Sequence, residues 1–216
     1  DDEEVRIHPH YGVFSPVRSE YIDLVLKAPL PAAIKQNSIA FDIGTGTGVL
    51  AVVLALRNIQ KIVATDLSDR AIACAQDNID RLMLNSQVEI TKANLFAEGK
   101  AALIVCNPPW LPARPSSSLE HAVYDPESQM LRGFLGKLKD HLLPDGEGWL
   151  ILSDLAEHLG LRTRDELLCW IEQAGLKVIA RLDTKPTHHK AFDKADALYL
   201  ARSKEVTSLW RLAAKS

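Results

Sequence analysis

The sequence predicts an α/β fold, a doubly wound sheet of mostly parallel strands, and three observations carry that prediction. Short apolar runs alternate with amphipathic stretches along the chain, as βαβ units require. A glycine-rich turn, Gly44-Thr45-Gly46-Thr47-Gly48, separates one such run from a helical pattern. The segment Asn107-Pro108-Pro109-Trp110 closes another run, 101–106, and so sits at a strand's C-terminal end, where open α/β sheets bind ligands.

In chain order, Tyr21, Leu24 and Val25 share one face of an entry helix. A strand is expected at 38–43 and a helix at 48–57, then a strand at 61–65. The next helix, 68–84, has Ser68 at its N-cap and Ala71, Cys74, Ala75, Ile79, Leu82 and Met83 at helical spacing. Strands follow at 88–92 and 102–106. A helix at 126–143 starts on Pro126, preset for a first turn, and stops at Pro144-Asp145-Gly146. A strand at 149–152, a helix at 163–174 closed by Gly175, and strands at 177–182 and 197–201 bring the strand count to seven. The Pro- and Ser-rich stretch 111–118 is a loop over the end of the fourth strand, and the basic stretch 185–190 reads as a solvated turn.

With 216 residues, 47% of them apolar and 25% charged, the chain is the size of one globular domain, 1–216. A formal charge of −3 lacks the overall basic character of a protein that grips nucleic acid by its phosphates, although a local basic patch remains compatible. Three widely spaced cysteines indicate neither a disulfide framework nor a zinc site and fit a reducing cytoplasm. No apolar run reaches the roughly 18 residues of a membrane span. The first residue is not Met, so an upstream domain is compatible with the sequence.

The three glycines let the backbone turn tightly and aim helix N-terminal amides at a ligand. Their G-x-G-x-G spacing differs from the G-x-G-x-x-G dinucleotide fingerprint and disfavours a nicotinamide-dependent oxidoreductase. Asp42, just ahead of them, would repel a pyrophosphate and attract a cation, or else order the loop by accepting backbone amides. Asp66, at the end of the second strand, is placed to accept from both hydroxyls of a ribose. These features suit a positively charged nucleoside. On the other side, the Asn107 amide oxygen can accept a hydrogen bond, the prolines stiffen the backbone, and Trp110 offers a flat face, a combination suited to a planar NH2 group.

The pattern from Asp42 through Gly44, Gly46 and Gly48, with Asp66, resembles the cofactor site of the class I S-adenosylmethionine (SAM)-dependent methyltransferases. The resemblance covers nearly the whole chain. It implies a Rossmann-like seven-stranded sheet with an antiparallel last strand. It also implies SAM contacts from Asp42, Gly44, Thr45, Gly46, Gly48, Asp66 and Leu67, adenine contacts from Asn94 and Leu95, and a contribution from Asn107. Many family members carry Asp where Asn94 stands, which implies weaker cofactor binding here. Asn107-Pro108-Pro109-Trp110 resembles the motif of the N-methyltransferases that act on planar amide or exocyclic amine nitrogens, where the Asn oxygen and the first Pro carbonyl hold the hydrogens of the acceptor and the aromatic stacks on it. Trp110 stands where Tyr or Phe is more usual. The stretch 12–20 resembles the segment that covers the cofactor in the same enzymes, with Phe14 over the methyl group and Arg18 bonding a loop carbonyl or the SAM carboxylate; a docking helix that only buries apolar area is the plainer reading. Two acceptor classes follow. A protein glutamine side chain, as in the release-factor methyltransferases, is placed slightly ahead. Adenine N6 or guanine N2 in RNA or DNA, with phosphate contacts from Arg114, Lys137, Lys139 and residues 185–190, is the other. A catalytically silent SAM-binding module is a third reading, with little use for residues 107–110.

Overall fold

The computed structural model describes residues 6–10, 13, 20–112, 124–185 and 203–215. Period-two alternation in the strands divides the core into two layers. Ala40, Ile62, Leu103, Val105, Trp149, Ile151 and Leu209 face one helical layer, and Phe41, Ile43, Ile104, Cys106, Leu150, Leu152 and Trp210 face the other. Sheets covered on both faces read as continuous apolar runs, which is why 101–106 is buried at every position.

The strands are β1 (Ile39–Ile43), β2 (Lys61–Asp66), β3 (Val88–Lys92), β4 (Ala101–Cys106), β5 (Leu142–Ser153), β6 (Leu176–Thr184) and β7 (Thr207–Ala214). The helices are α1 (Glu20–Lys27), α2 (Val49–Leu56), α3 (Asp69–Arg81), α4 (Gln129–His141), α5 (Leu155–His158) and α6 (Arg164–Gln173). The sheet order is β3-β2-β1-β4-β5-β7-β6, parallel from β3 to β5, with β7 antiparallel to both its neighbours. Helices α1 and α2 cover one face; α4 and α6 cover the other. Among the described residues no helix is long and apolar enough to cross a membrane.

The expected entry helix forms with Tyr21, Leu24 and Val25 all buried. Ser68 caps α3 by accepting from Ala71 N–H, but that helix ends at Arg81 rather than 84. Leu82 caps it, and Met83 takes a positive φ of 56° and is 85% exposed, so Met83 does not belong to the buried stripe. The helix expected at 126–143 is a 3-10 turn, Pro126–Ser128, followed by α4. The strand expected at 149–152 runs from Leu142 to Ser153. Helix α4 already ends at His141, where Leu142 turns extended, and Pro144-Asp145-Gly146 lies instead within a register irregularity of β5, as Ala101 pairs with Leu142 and Leu103 with Glu147. Thr163 and Glu166 form a capping box at the start of α6. Helix α5 was not expected.

Among the described residues seven strands form one sheet. The strand expected at 197–201 lies outside the described residues, and the strand inserted between β5 and β6 is Thr207–Ala214, which was not expected. Its slot is set by pairing with both neighbours, Leu150 with Trp210 and Arg181 with Trp210, which no local pattern encodes.

Candidate active site

The sheet order reverses at β1. The chain goes from β1 outward to β2 and β3, then returns to β4 on the other side of β1, and this switch point opens a crevice at the strands' C-terminal ends. Ile43 pairs with both Thr65 and Cys106, so the glycine turn, Asp66 and Asn107 leave three adjacent strands at one level. A cavity of about 620 Å³ lies there, within the usual size range of small-molecule sites. Its wall brings together Gly44, Thr45, Gly46, Asp66, Leu67, Asn94, Leu95, Asn107 and Pro109.

Each wall element has a local cause. Gly44, Gly46 and Gly48 take φ values of 69°, 56° and 83°, the left-handed region that glycine enters without strain. Asp66 Oδ2 accepts from Gly46 N–H at 3.0 Å and Oδ1 from Ser68 N–H at 2.9 Å, which fixes the carboxylate against the turn and leaves lone pairs for a ligand. Leu67 beside it is 63% exposed, an apolar flank open to a ring. Leu95, with a φ of 72°, holds its carbonyl on the Thr65 hydroxyl.

Asp42 departs from its expected role as a direct partner of a cation. It is fully buried and stands beneath the loop, off the cavity wall, where Oδ2 accepts from the Thr45 hydroxyl at 2.6 Å and Ala51 N–H at 3.1 Å. The loop-ordering role is the one the geometry shows. Oδ1 is buried without a hydrogen-bond partner, which a neutral carboxyl tolerates better than an anion. Burial accordingly pushes its pKa up to about 7; the Thr45 and Ala51 bonds oppose the rise, and the Asp66 charge adds to it.

Because folding raises this acid, the native state keeps a proton that the unfolded chain releases between about pH 4 and 7. The stability Asp42 contributes is therefore full below about pH 4 and is lost as pH rises to about 7. Asp42→Asn is expected to flatten that slope, so that the difference in unfolding free energy between variant and wild type grows across this window and then levels. Parallel pH profiles in chemical denaturation would show that Asp42 is not the group responsible.

Gly48, Pro108 and Trp110 are also off the cavity wall. Gly48 serves packing, since a Cβ there would meet Ala75 of α3 at 3.3 Å. Trp110 packs against both core layers, and its indole Nε1–H donates to Asn107 Oδ1 at 2.9 Å, so its expected place as a face stacked on the acceptor is corrected. Phe14 and Arg18 lie outside the described residues, as do Arg114 and residues 186–190. Lys137 is on the wall, whereas Lys139 reaches the Lys215 carbonyl at 3.4 Å.

Several wall and support residues were not assigned from sequence. Tyr21 lines the cavity from α1 and hydrogen-bonds the Asn107 side chain; burial first, and the Asp42 charge second, push its phenol well above the usual range. Asp125 caps α4, accepting from Met130 N–H at 2.9 Å and Leu131 N–H at 3.0 Å, and so delivers Met130 over Gly44. An Asp preceding Pro126 was the available signal. Asn78, buried in α3, donates to the Thr47 carbonyl at 3.0 Å and ties down the far end of the glycine turn.

The cavity suits SAM. A cradle without side chains at Gly46, where nothing stands within 4 Å of a Cβ position, faces a carboxylate still able to accept from a ribose and an apolar flank for a purine.

Residues 4–162 match the family model for the methyltransferase small domain. A tRNA1(Val) (adenine(37)-N6)-methyltransferase from Shewanella loihica is 28% identical over 193 residues, 84% of this chain and 74% of that protein. A ribosomal protein L11 methyltransferase from Lactobacillus gasseri is 38% identical over 86 residues, 39% of this chain and 27% of that protein. The chain thus spans about a quarter of the length of the L11 methyltransferases it matches. The fold is shared with the ribosomal protein L11 methylase of Lactobacillus delbrueckii subsp. bulgaricus, with a TM-score of 0.61 at 19% identity over 100% of this chain and 86% of that one. It is shared also with a geranyl diphosphate methyltransferase solved in complex with SAM, with a TM-score of 0.64 at 14% identity over 92% and 85%. Fold and site together define a class I methyltransferase domain with SAM as its cofactor. More narrowly, the chain belongs to the methyltransferase small domain family.

Proposed function

We propose that this protein methylates the nitrogen of a planar NH2 group, and that the group is adenine N6 in RNA. The observation that carries the first part is the presence of Asn107 and Pro109 on the same cavity wall as the glycine turn and Asp66. The second part draws on the tRNA adenine-N6 methyltransferase, which resembles 84% of this chain, whereas the similarity to L11 methyltransferases extends over 39%. A basic Lys137 at the rim is compatible with a phosphate-bearing acceptor. This reading moves the emphasis away from a protein glutamine side chain, which presents the same planar NH2 group.

Gly44 to Gly46 and Asp66 would hold the cofactor's amino acid and ribose parts, and Leu67, Asn94 and Leu95 would flank its adenine. SAM supplies an electrophilic methyl group when bound. The chain's own contribution is orientation. An exocyclic amine is a poor nucleophile because its lone pair is delocalised into the ring. The Asn107 side-chain oxygen, on the cavity wall, would accept one of its hydrogens and so orient the nitrogen lone pair toward the methyl. No strong general base is needed before transfer, since the proton becomes acidic only as the new bond forms.

Asp66→Ala removes a charged acceptor and its bonds to Gly46 N–H in the turn and Ser68 N–H at the start of α3, so the SAM dissociation constant is expected to rise about 10- to 100-fold by calorimetry. An unchanged constant would remove Asp66 from the cofactor site. For the acceptor, tritiated-methyl transfer to unfractionated bacterial RNA and to total protein is compared. Label that resists protease and is released by nuclease supports the RNA reading; the opposite result restores the glutamine side chain.

A further inference from the structure

Two side chains from different parts of the chain converge on one amide. Trp110 Nε1–H donates to Asn107 Oδ1 at 2.9 Å, and the Tyr21 phenol is hydrogen-bonded to the same side chain. An indole N–H can only donate, so the atom it meets must be the amide oxygen. The indole bond therefore selects one of the two flip states of Asn107, and Tyr21 stands against the same side chain. Two prolines between Asn107 and Trp110 fix their φ angles, and this stiff turn brings the indole back over the residue three positions earlier. Tyr21 is only 3% exposed and is anchored by α1.

We infer that Trp110 and Tyr21 are positioning residues that lock the Asn107 amide in the orientation that accepts an N–H of the methyl acceptor, with one lone pair of Oδ1 committed to the indole and the other left for the substrate. This rests on the methyl-transfer reading for its consequence in catalysis, but the clamp itself is a property of the chain. Trp110→Phe keeps an aromatic ring and loses the donor, and Tyr21→Phe loses the phenol oxygen beside the amide. A freed amide samples its flipped state, in which NH2 faces the acceptor nitrogen and repels its hydrogens.

The test uses the full chain labelled with 15N. Assigned through Trp110→Phe, the Trp110 indole proton of the wild type is expected to be protected from solvent exchange and to lose that protection in Asn107→Ala. The paired Asn107 NH2 resonances are expected to shift and exchange faster in both Trp110→Phe and Tyr21→Phe. With tritiated-methyl transfer to unfractionated bacterial RNA, kcat of Trp110→Phe is expected to fall on the order of tenfold or more, with KM, SAM affinity and melting temperature changed far less. Wild-type kcat in Trp110→Phe, or Asn107 resonances indifferent to both substitutions, would overturn the inference. Failure of the methyl-transfer reading would show separately, as absent SAM binding in the wild type with the resonance results unaffected. Should Trp110→Phe fold poorly, Tyr21→Phe and the indole exchange in the wild type decide the question.

Discussion

Asn107→Ala is expected to lower methyl transfer by about 10²- to 10³-fold, comparable to the loss of a preorganised hydrogen bond at a reacting atom, with SAM affinity little changed. The expectation follows from where the side chain stands. Asn107 leaves β4 one residue after Cys106, which pairs with Ile43 immediately before the glycine turn. Asn107 is on the cavity wall, while the turn and Asp66 on the same wall come from β1 and β2. Truncation removes the proposed acceptor for one substrate hydrogen and the Trp110–Asn107 bond, yet touches none of the bonds that order the turn. A radiolabelled-methyl assay at saturating SAM, paired with calorimetry of SAM, separates the two effects. Wild-type turnover in this variant would sink the assignment of Asn107 to the acceptor.

Arg211→Met is expected to destabilise the fold by about 3–5 kcal/mol, because it strands a buried carboxylate. Glu147 on β5 accepts from Arg211 Nε at 2.8 Å and Arg211 Nη2 at 2.7 Å, and from Trp149 Nε1–H at 2.8 Å. The two charged side chains are only 8% and 14% exposed. Removing the guanidinium leaves the indole as the carboxylate's remaining partner in this triad, whereas a surface pair of the same kind would contribute at most about 1 kcal/mol. Chemical denaturation measures the loss, and the double variant Glu147→Leu with Arg211→Met is expected to recover most of it. A loss below about 1 kcal/mol in the single variant would show that water reaches Glu147.

Local pattern fixed much of this protein. Strands β1, β2 and β4 were legible because buried parallel strands are apolar runs, and β3, an alternating edge strand, was legible to the residue. The α3 N-cap was read from Ser68, whose side-chain oxygen meets a free N–H three residues on. The glycine turn, Asp66 and Asn107 were legible for a related reason: a parallel sheet places every loop after a strand on the same edge, so motifs far apart in sequence share a crevice.

Other features depend on partners that sequence does not place side by side. Strand β7 takes the slot between β5 and β6 because both neighbours supply its hydrogen bonds, and the Glu147–Arg211 pair is buried by that choice. Asp42 looked like a ligand carboxylate, yet the turn folds over it and makes it an internal acceptor. Trp110 looked like a stacking face, yet the Pro-Pro turn aims its N–H at Asn107, and Tyr21 arrives at the same amide from α1. The class of fold and the strand ends that line the cavity could be read locally, because burial and turn formation are governed by neighbours along the chain. Tertiary structure alone decided which groups face the cavity and which support it, because that depends on the direction of each side chain once distant elements have packed.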